Sequence, residues 1–214
     1  LYRTGSADLV HATGAATFDA VKMLREANPQ RYQPEHGAEY PRSEFGQRLR
    51  QIAQLIKSGV GLEIAFADIG GWDTHSNILT NQANLFGQMA PAMRAFYDYT
   101  VAAGISTNVT TFTMSDFNRT FIGNQTIGTD HAYGGNYLVM GGAVKGGDMY
   151  GTYPQLFLKG AEDTGSNGAW LPTTSVDQVG NTLATWFGMS AADIAYTFPN
   201  LANWSAGVRN VGFI

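Results

Sequence analysis

Residues 62–77 constrain the fold of this chain more than any other segment. Residues 62–68 read Leu-Glu-Ile-Ala-Phe-Ala-Asp, an apolar run typical of a buried strand. Gly70 and Gly71 then allow the backbone to turn sharply, and Asp73 and His75 follow directly. Because open α/β sheets place their sites beyond the carboxyl ends of strands, this spacing predicts a carboxylate and an imidazole at a sheet edge.

The composition favours a loop-rich globular protein. Of the 214 residues, 44% are hydrophobic, 14% are charged and 26 are glycine, which argues against a disordered chain. The net charge of -4 provides no basic surface for nucleic acid. No apolar run approaches the roughly 20 residues that a membrane-spanning helix needs, so we expect no transmembrane segment.

Several kinds of site are excluded by the residues that the chain lacks. It has no cysteine, which rules out disulfides, thiolate metal sites and a cysteine nucleophile. The sequence contains neither a phosphate-binding G-x-x-x-x-G-K-[ST] loop nor a G-x-S-x-G nucleophile elbow. A catalytic nucleophile is therefore left unassigned.

The hydrophobic pattern predicts alternating helices and strands. Helical spacing occurs at 14–28, 43–58, 79–103 and 175–187, whereas the runs at 62–68, 108–114 and 137–140 are β-like. Strand, helix, strand is the order of a parallel sheet with helices on its faces. We therefore expect residues 1–214 to form a single α/β domain.

Two later clusters repeat the strand-end arrangement of Asp73 and His75. Asp116 follows the β-like run at 108–114, and Asp130 and His131 lie in a glycine-rich segment. Oxygen and imidazole ligands suit zinc or manganese, and a more oxygen-rich set suits magnesium or calcium. These five residues are the predicted ligands of a divalent metal, with zinc first among the candidates.

Simpler interpretations remain open for each residue taken alone. A strand-end Asp is more often a turn or helix cap than a ligand, and His131 could be a hydrogen-bonded loop residue. Arg119, next to Asn118, could be a surface charge or could hold an anion with two hydrogen bonds. His11 and His36 have no evident partners in the sequence, so we expect them to be structural.

These motifs together resemble a known group. The chain is similar, from about residue 40 to residue 205, to a bacterial family of exported proteins within the alkaline phosphatase and sulfatase-like superfamily. The resemblance is carried by Gly-Gly-Trp-Asp-Thr-His at 70–75, Ser-Asp-Phe-Asn-Arg-Thr at 115–120, Gly-Thr-Asp-His at 128–131, Val-Lys-Gly-Gly-Asp-Met-Tyr-Gly at 144–151 and Phe-Pro-Asn-Leu at 198–201.

The resemblance implies an α/β/α sandwich with a mostly parallel sheet and a metal site at its carboxyl edge. Asp73 and His75 would bind one metal, Asp116 would belong to a second, and His131 with Asp130 would match a late histidine ligand. Asn118 and Arg119 would support these ligands or bind an anion. Family members are about twice as long, so the chain would be the C-terminal part of a longer domain, its site completed by an N-terminal half or a partner chain.

The expected function is metal-dependent hydrolysis of phosphate or sulfate esters, acting on a small anionic ester. A periplasmic or secreted, bacterial location is expected from the same resemblance.

Two alternatives to this function stay open. The chain could be a non-catalytic binding or structural protein that keeps the fold, since Phe117 stands where the superfamily often has a histidine. The metal could also be purely structural and order the glycine-rich loops.

Overall fold

Helices make up most of the regular structure. The computed structural model describes residues 17–33 and 38–214, and His11 and His36 lie outside them. Helix α1 covers described residues 17–27, so the helix predicted over 14–28 is confirmed there and its first residues lie outside the described part. The other elements are α2 (Glu44–Lys57), α3 (Ile78–Ala102), α4 (Val176–Phe187) and α5 (Ala191–Thr197), with short 3-10 helices at Pro29–Arg31, Ser106–Asn108, Pro199–Asn203 and Ala206–Val208.

Capping residues set the ends of these helices. Ser43 caps α2 by accepting a hydrogen bond of 3.2 Å from the Gly46 amide. Ser175 and Gln178 form a capping box at the start of α4. The predictions of helices at 43–58, 79–103 and 175–187 are confirmed, and at α2 and α4 the apolar spacing agrees with a capping serine.

The chain divides into two compact units. The first comprises the described residues up to Gly70 together with Asn84–Gly104. Its buried apolar side chains are Phe45, Leu49 and Ala53 on α2 and Met89, Ala92, Met93, Ala95, Phe96 and Tyr99 on α3. The second unit comprises Gly71–Ala83 and Ile105–Ile214 and contains every strand among the described residues, together with the site described below.

The prediction of a mostly parallel sheet between two helical layers is wrong. The described strands form two separate antiparallel pairs, β1 (Thr110–Phe112) with β4 (Val139–Gly141) and β2 (Asn118–Arg119) with β3 (His131–Ala132). The two β-like runs at 108–114 and 137–140 therefore pair with each other, but as a two-stranded antiparallel ladder. Each of these strands has only two or three residues, and each pairs with a single partner.

Residues 62–68, the predicted buried strand, have no regular secondary structure. Ile64 is 77% and Phe66 is 82% exposed, so the segment is not buried either. No backbone hydrogen bond joins these residues to another residue in the described part of the chain. A β-prone run becomes a parallel strand only when neighbouring strands take up its backbone groups, and here none does.

None of the described helices combines the length and the apolar character needed to span a membrane.

Candidate metal centre

A short turn brings Asp73 and His75 onto one surface of the second unit. The His75 amide donates to the Asp73 carbonyl over 3.0 Å, and the Thr74 amide donates to the Trp72 carbonyl over 2.9 Å. Thr74 itself is only 2% exposed. Because Thr74 is buried, the side chains of its two neighbours point outward. Asp73 and His75 are accordingly both about half exposed.

The loop at 124–131 is hydrogen-bonded along this turn. The Thr129 amide donates to the Thr74 carbonyl over 3.2 Å, and the Ile78 amide donates to the Ile127 carbonyl over 3.0 Å. Gly128 lies so close to His75 that a Cβ at this position would overlap the His75 carbonyl group. The glycine therefore permits the close approach that brings the two segments together.

The β2–β3 ladder sets His131 and Arg119 side by side. These two residues are direct partners in the antiparallel register. The ladder continues through Thr120 and Asp130, since the Thr120 amide donates to the Asp130 carbonyl over 2.9 Å. Cross-strand neighbours on one face lie within side-chain reach, so both side chains meet Asp73.

Three potential ligand atoms converge at this surface. Asp73 Oδ1 lies 2.8 Å from His131 Nε2 and 3.0 Å from His75 Nε2. The two Nε2 atoms are 3.2 Å apart. All three side chains are exposed, so the cluster opens to solvent. Two imidazole nitrogens and one carboxylate oxygen form a donor set that suits a divalent transition metal.

Asp130 lies behind His75 and outside this cluster. Its Oδ1 atom is 3.2 Å from His75 Nδ1, the ring nitrogen that does not face Asp73. Asn124 donates to the same Oδ1 over 3.1 Å and to the His75 carbonyl over 3.0 Å. Asp130 therefore orients the imidazole of His75, an arrangement usual for histidines that bind metals.

Arg119 fixes Asp73 from the other side. Its side chain is only 9% exposed, and one terminal nitrogen donates to Asp73 Oδ1 over 2.7 Å. Nε donates to the Thr129 hydroxyl over 2.9 Å, and the remaining nitrogen donates to the Thr129 carbonyl. Because every guanidinium nitrogen has a partner within the protein, Arg119 acts as a clamp for Asp73.

The other predicted site residues lie outside the cluster. Asp116 is exposed at a bend, and its carboxylate forms no hydrogen bond or ion pair with another described residue. The Asn118 side chain donates a hydrogen bond to the Gly134 carbonyl and so fixes the backbone at Gly134. Phe117 stacks on His131, with ring centroids 4.6 Å apart and planes at 19°. This ring supports a ligand side chain at the position where the resemblance would place a histidine.

Hydrogen bonds keep both carboxylates of the site ionised. The hydrogen bond from His131, followed by that from Arg119, lowers the pKa of Asp73 below its ordinary value. The hydrogen bond from Asn124, followed by that from His75, does the same for the pKa of Asp130. Both groups are therefore anionic at neutral pH, as a metal ligand and its supporting carboxylate must be.

Sequence reasoning missed Asn124 and Thr129, which join the turn, the loop and Arg119. Asn124 also accepts hydrogen bonds of 3.0 Å from the Thr126 and Gly128 amides. An Asn before a glycine-containing turn is a weak signal for such a role, because Asn is common in every loop. Only the folded loop shows that this one side chain contacts both His75 and Asp130.

An exposed cluster of one Asp and two His on a loop and a two-stranded ladder defines a protein with a candidate mononuclear metal centre. The chain belongs to the family described as proteins of unknown function, DUF1501, whose model matches residues 6–192. Comparison with curated proteins and with solved structures gave no match. Membership of this family names no activity, so the function has to be argued from the site.

Proposed function

We propose that Asp73, His75 and His131 bind one divalent metal ion and that the centre serves the hydrolysis of phosphate or sulfate esters. The observation that carries the proposal is the mutual distance of the three ligand atoms, 2.8, 3.0 and 3.2 Å. In a tetrahedral zinc site with ligands at about 2.0–2.1 Å, neighbouring ligand atoms are about 3.3 Å apart. The three separations here are all within about half an ångström of that value.

The surroundings of the ligands support the same proposal. Asp130 contacts the outer nitrogen of His75, and this contact favours the tautomer whose Nε2 lone pair points at Asp73. Three protein ligands leave a fourth position of a tetrahedral ion for water or substrate, which is the pattern of catalytic zinc. When bound, such an ion supplies a water of lowered pKa and polarises an ester oxygen.

The proposed substrate is a small anionic ester. The Arg119 side chain is only 9% exposed and its charge is already compensated by the ion pair with Asp73, so it is poorly placed to bind the substrate anion. The metal would then be the positive group that the anion meets. The nucleophile is not assigned, and we propose that it comes from water or from a polypeptide segment beyond these 214 residues, in a periplasmic or secreted bacterial protein.

Elemental analysis of the purified protein is the experiment that tests metal binding. We expect about one equivalent of zinc per chain, loss of that metal in Asp73→Ala, and retention in Asp116→Ala, a matched carboxylate outside the cluster. One equivalent of iron would contradict the zinc assignment, since two His and one carboxylate also bind Fe(II). No stoichiometric metal in the wild type would refute the proposal.

Hydrolysis is tested separately with p-nitrophenyl phosphate and p-nitrophenyl sulfate. Release of nitrophenol that depends on the metal and is lost in Asp73→Ala supports the esterase function. Stoichiometric metal without turnover of either ester instead favours the alternative of a non-catalytic protein. A large fall in melting temperature on chelation, without turnover of either ester, would favour the alternative of a metal that orders the loops.

A further inference from the structure

A cleft in the second unit lies beside the metal centre but contains none of the three ligand residues. It has a volume of about 380 Å³ and is lined from residues 118–121, 134–136, 149–156 and 170–174. This volume falls within the range of about 300–1,000 Å³ that small-molecule sites occupy. Arg119 is shared, because it borders the cleft and also contacts Asp73.

Aromatic rings form much of the cleft wall. Tyr150 is 39% and Tyr153 is 53% exposed. The Tyr150 hydroxyl donates to the Lys145 carbonyl over 2.7 Å, which fixes the orientation of the ring. Phe121 and Trp170 pack edge to face with centroids 6.0 Å apart. The partly exposed rings of Tyr150 and Tyr153 offer flat apolar surfaces to a ligand.

Uncharged polar groups lie among these rings. Asn136, Thr152 and Thr174 line the cleft, and none of their side chains hydrogen-bonds to another described residue. Of the described residues that line the cleft, Arg119 alone is charged, and all of its nitrogens are already paired. The cleft therefore offers flat rings, hydroxyls and an amide, but no unpaired charge.

We propose that this cleft binds a sugar unit of an uncharged glycan. The C–H faces of a pyranose ring pack against aromatic side chains, and its hydroxyls pair with amide and hydroxyl groups such as those of Asn136 and Thr152. An ionic ligand would lose its hydration without gaining a counter-charge. A purely apolar ligand would leave the polar groups of the wall without partners.

The test is titration of the purified full chain with two neutral trisaccharides, cellotriose and triacetylchitotriose, by calorimetry and by tryptophan fluorescence. We expect at least one of them to bind with a dissociation constant of about 1 mM or tighter. Tyr153→Ala should weaken binding at least tenfold, since it removes one stacking face. Tyr196→Ala is the matched control, because Tyr196 is 90% exposed on α5 and does not line the cleft.

Two further ligands, the anionic sugar trigalacturonate and the aromatic compound indole, provide results that would overturn the proposal. Tighter binding of trigalacturonate than of either neutral sugar would show an anion site, and binding of indole but of neither sugar would show an aromatic site. Absence of binding of all four probes also refutes it. The titrations are repeated with EDTA, which should leave sugar binding unchanged because no metal ligand lines the cleft. Failure of the metal proposal is thereby separated from failure of this one.

Discussion

His75 Nδ1 and Asp130 Oδ1 lie 3.2 Å apart, on the side of the imidazole ring opposite the Asp73 carboxylate. With a proton on Nδ1 donated to Asp130, Nε2 keeps its lone pair for a metal. Both Asp130 and His131 were predicted from the sequence to be metal ligands, but in the structure the two residues have different roles. His131 contributes to the cluster, whereas Asp130 orients a histidine 55 residues away in sequence.

Asp130→Ala should weaken metal binding without abolishing it. Loss of the carboxylate frees the ring of His75 to rotate and to change tautomer, and such supporting residues are worth about 10- to 100-fold in metal affinity. Competition against a chromophoric chelator measures the change. Asp116→Ala should match the wild type, and an Asp130→Ala protein that bound metal as tightly as the wild type would contradict the positioning role.

Asn124→Ala should lower the stability of the loop at 124–131 and the metal affinity together. The substitution removes donors to the His75 carbonyl and to Asp130, and an acceptor for the Thr126 and Gly128 amides. Three of these hydrogen bonds are exposed and only the one from the Gly128 amide is part-buried, so we expect a loss of about 1 kcal/mol. Chemical denaturation measures the loss. Gln125→Ala, at the exposed neighbouring position, should change neither property.

Gly128→Ala should disrupt the site through backbone overlap alone. A Cβ at this position would collide with the His75 carbonyl, so the loop would have to move away from the turn that carries Asp73 and His75. We expect a lower melting temperature and loss of bound metal. Gly70→Ala is the matched control, because a Cβ there meets nothing within 4 Å. Equal behaviour of the two variants would show that the close approach at Gly128 is unimportant.

Asp163 predicts a pH dependence of stability that is independent of the metal. Desolvation raises the pKa of this carboxyl, but backbone amides of Lys159, Gly165, Gly168 and Ala169 donate to it and lower the pKa overall. A carboxyl with a lowered folded-state pKa stabilises the fold above its unfolded value of about 3.9, and this contribution is lost as the pH falls through the folded pKa.

Asp163→Asn should therefore reduce the loss of stability on acidification and lower the stability at neutral pH. Urea denaturation at a series of pH values from about 7 to 3, across the ordinary aspartate pKa, measures both changes. Asp116→Asn is the control and should keep the wild-type profile. If the free energy of unfolding of the Asp163→Asn variant fell as steeply on acidification as that of the wild type, the Asp163 carboxylate would not stabilise the loop at 159–169.

Local signals explain which elements could be predicted from the sequence. Helices α2 and α4 combine an apolar stripe with a capping serine, and both signals lie within a few residues of each other. The sheet could not be predicted in the same way. Residues 62–68 have a β-like pattern, but a pattern states only a preference, and pairing depends on partners elsewhere in the chain.

The site, like the fold, could be predicted from the sequence only in part. Asp73, His75 and His131 could be selected because each lies in a glycine-rich turn beside a β-like run. The exclusion of Asp116 and the role of Asn124 depend on distances between segments that are far apart in sequence. No local motif encodes those distances, so only the fold distinguishes a ligand from a residue that supports one.

The unpaired segment at 62–68 has a consequence for handling the protein. Its backbone donors and acceptors, with Ile64 and Phe66 beside them, form a ready template for intermolecular β-pairing and aggregation. Within the segment only Glu63 and Asp68 are charged, and Arg48 neutralises Asp68 through an ion pair. We therefore expect this stretch to favour aggregation, and Phe66→Lys to reduce it.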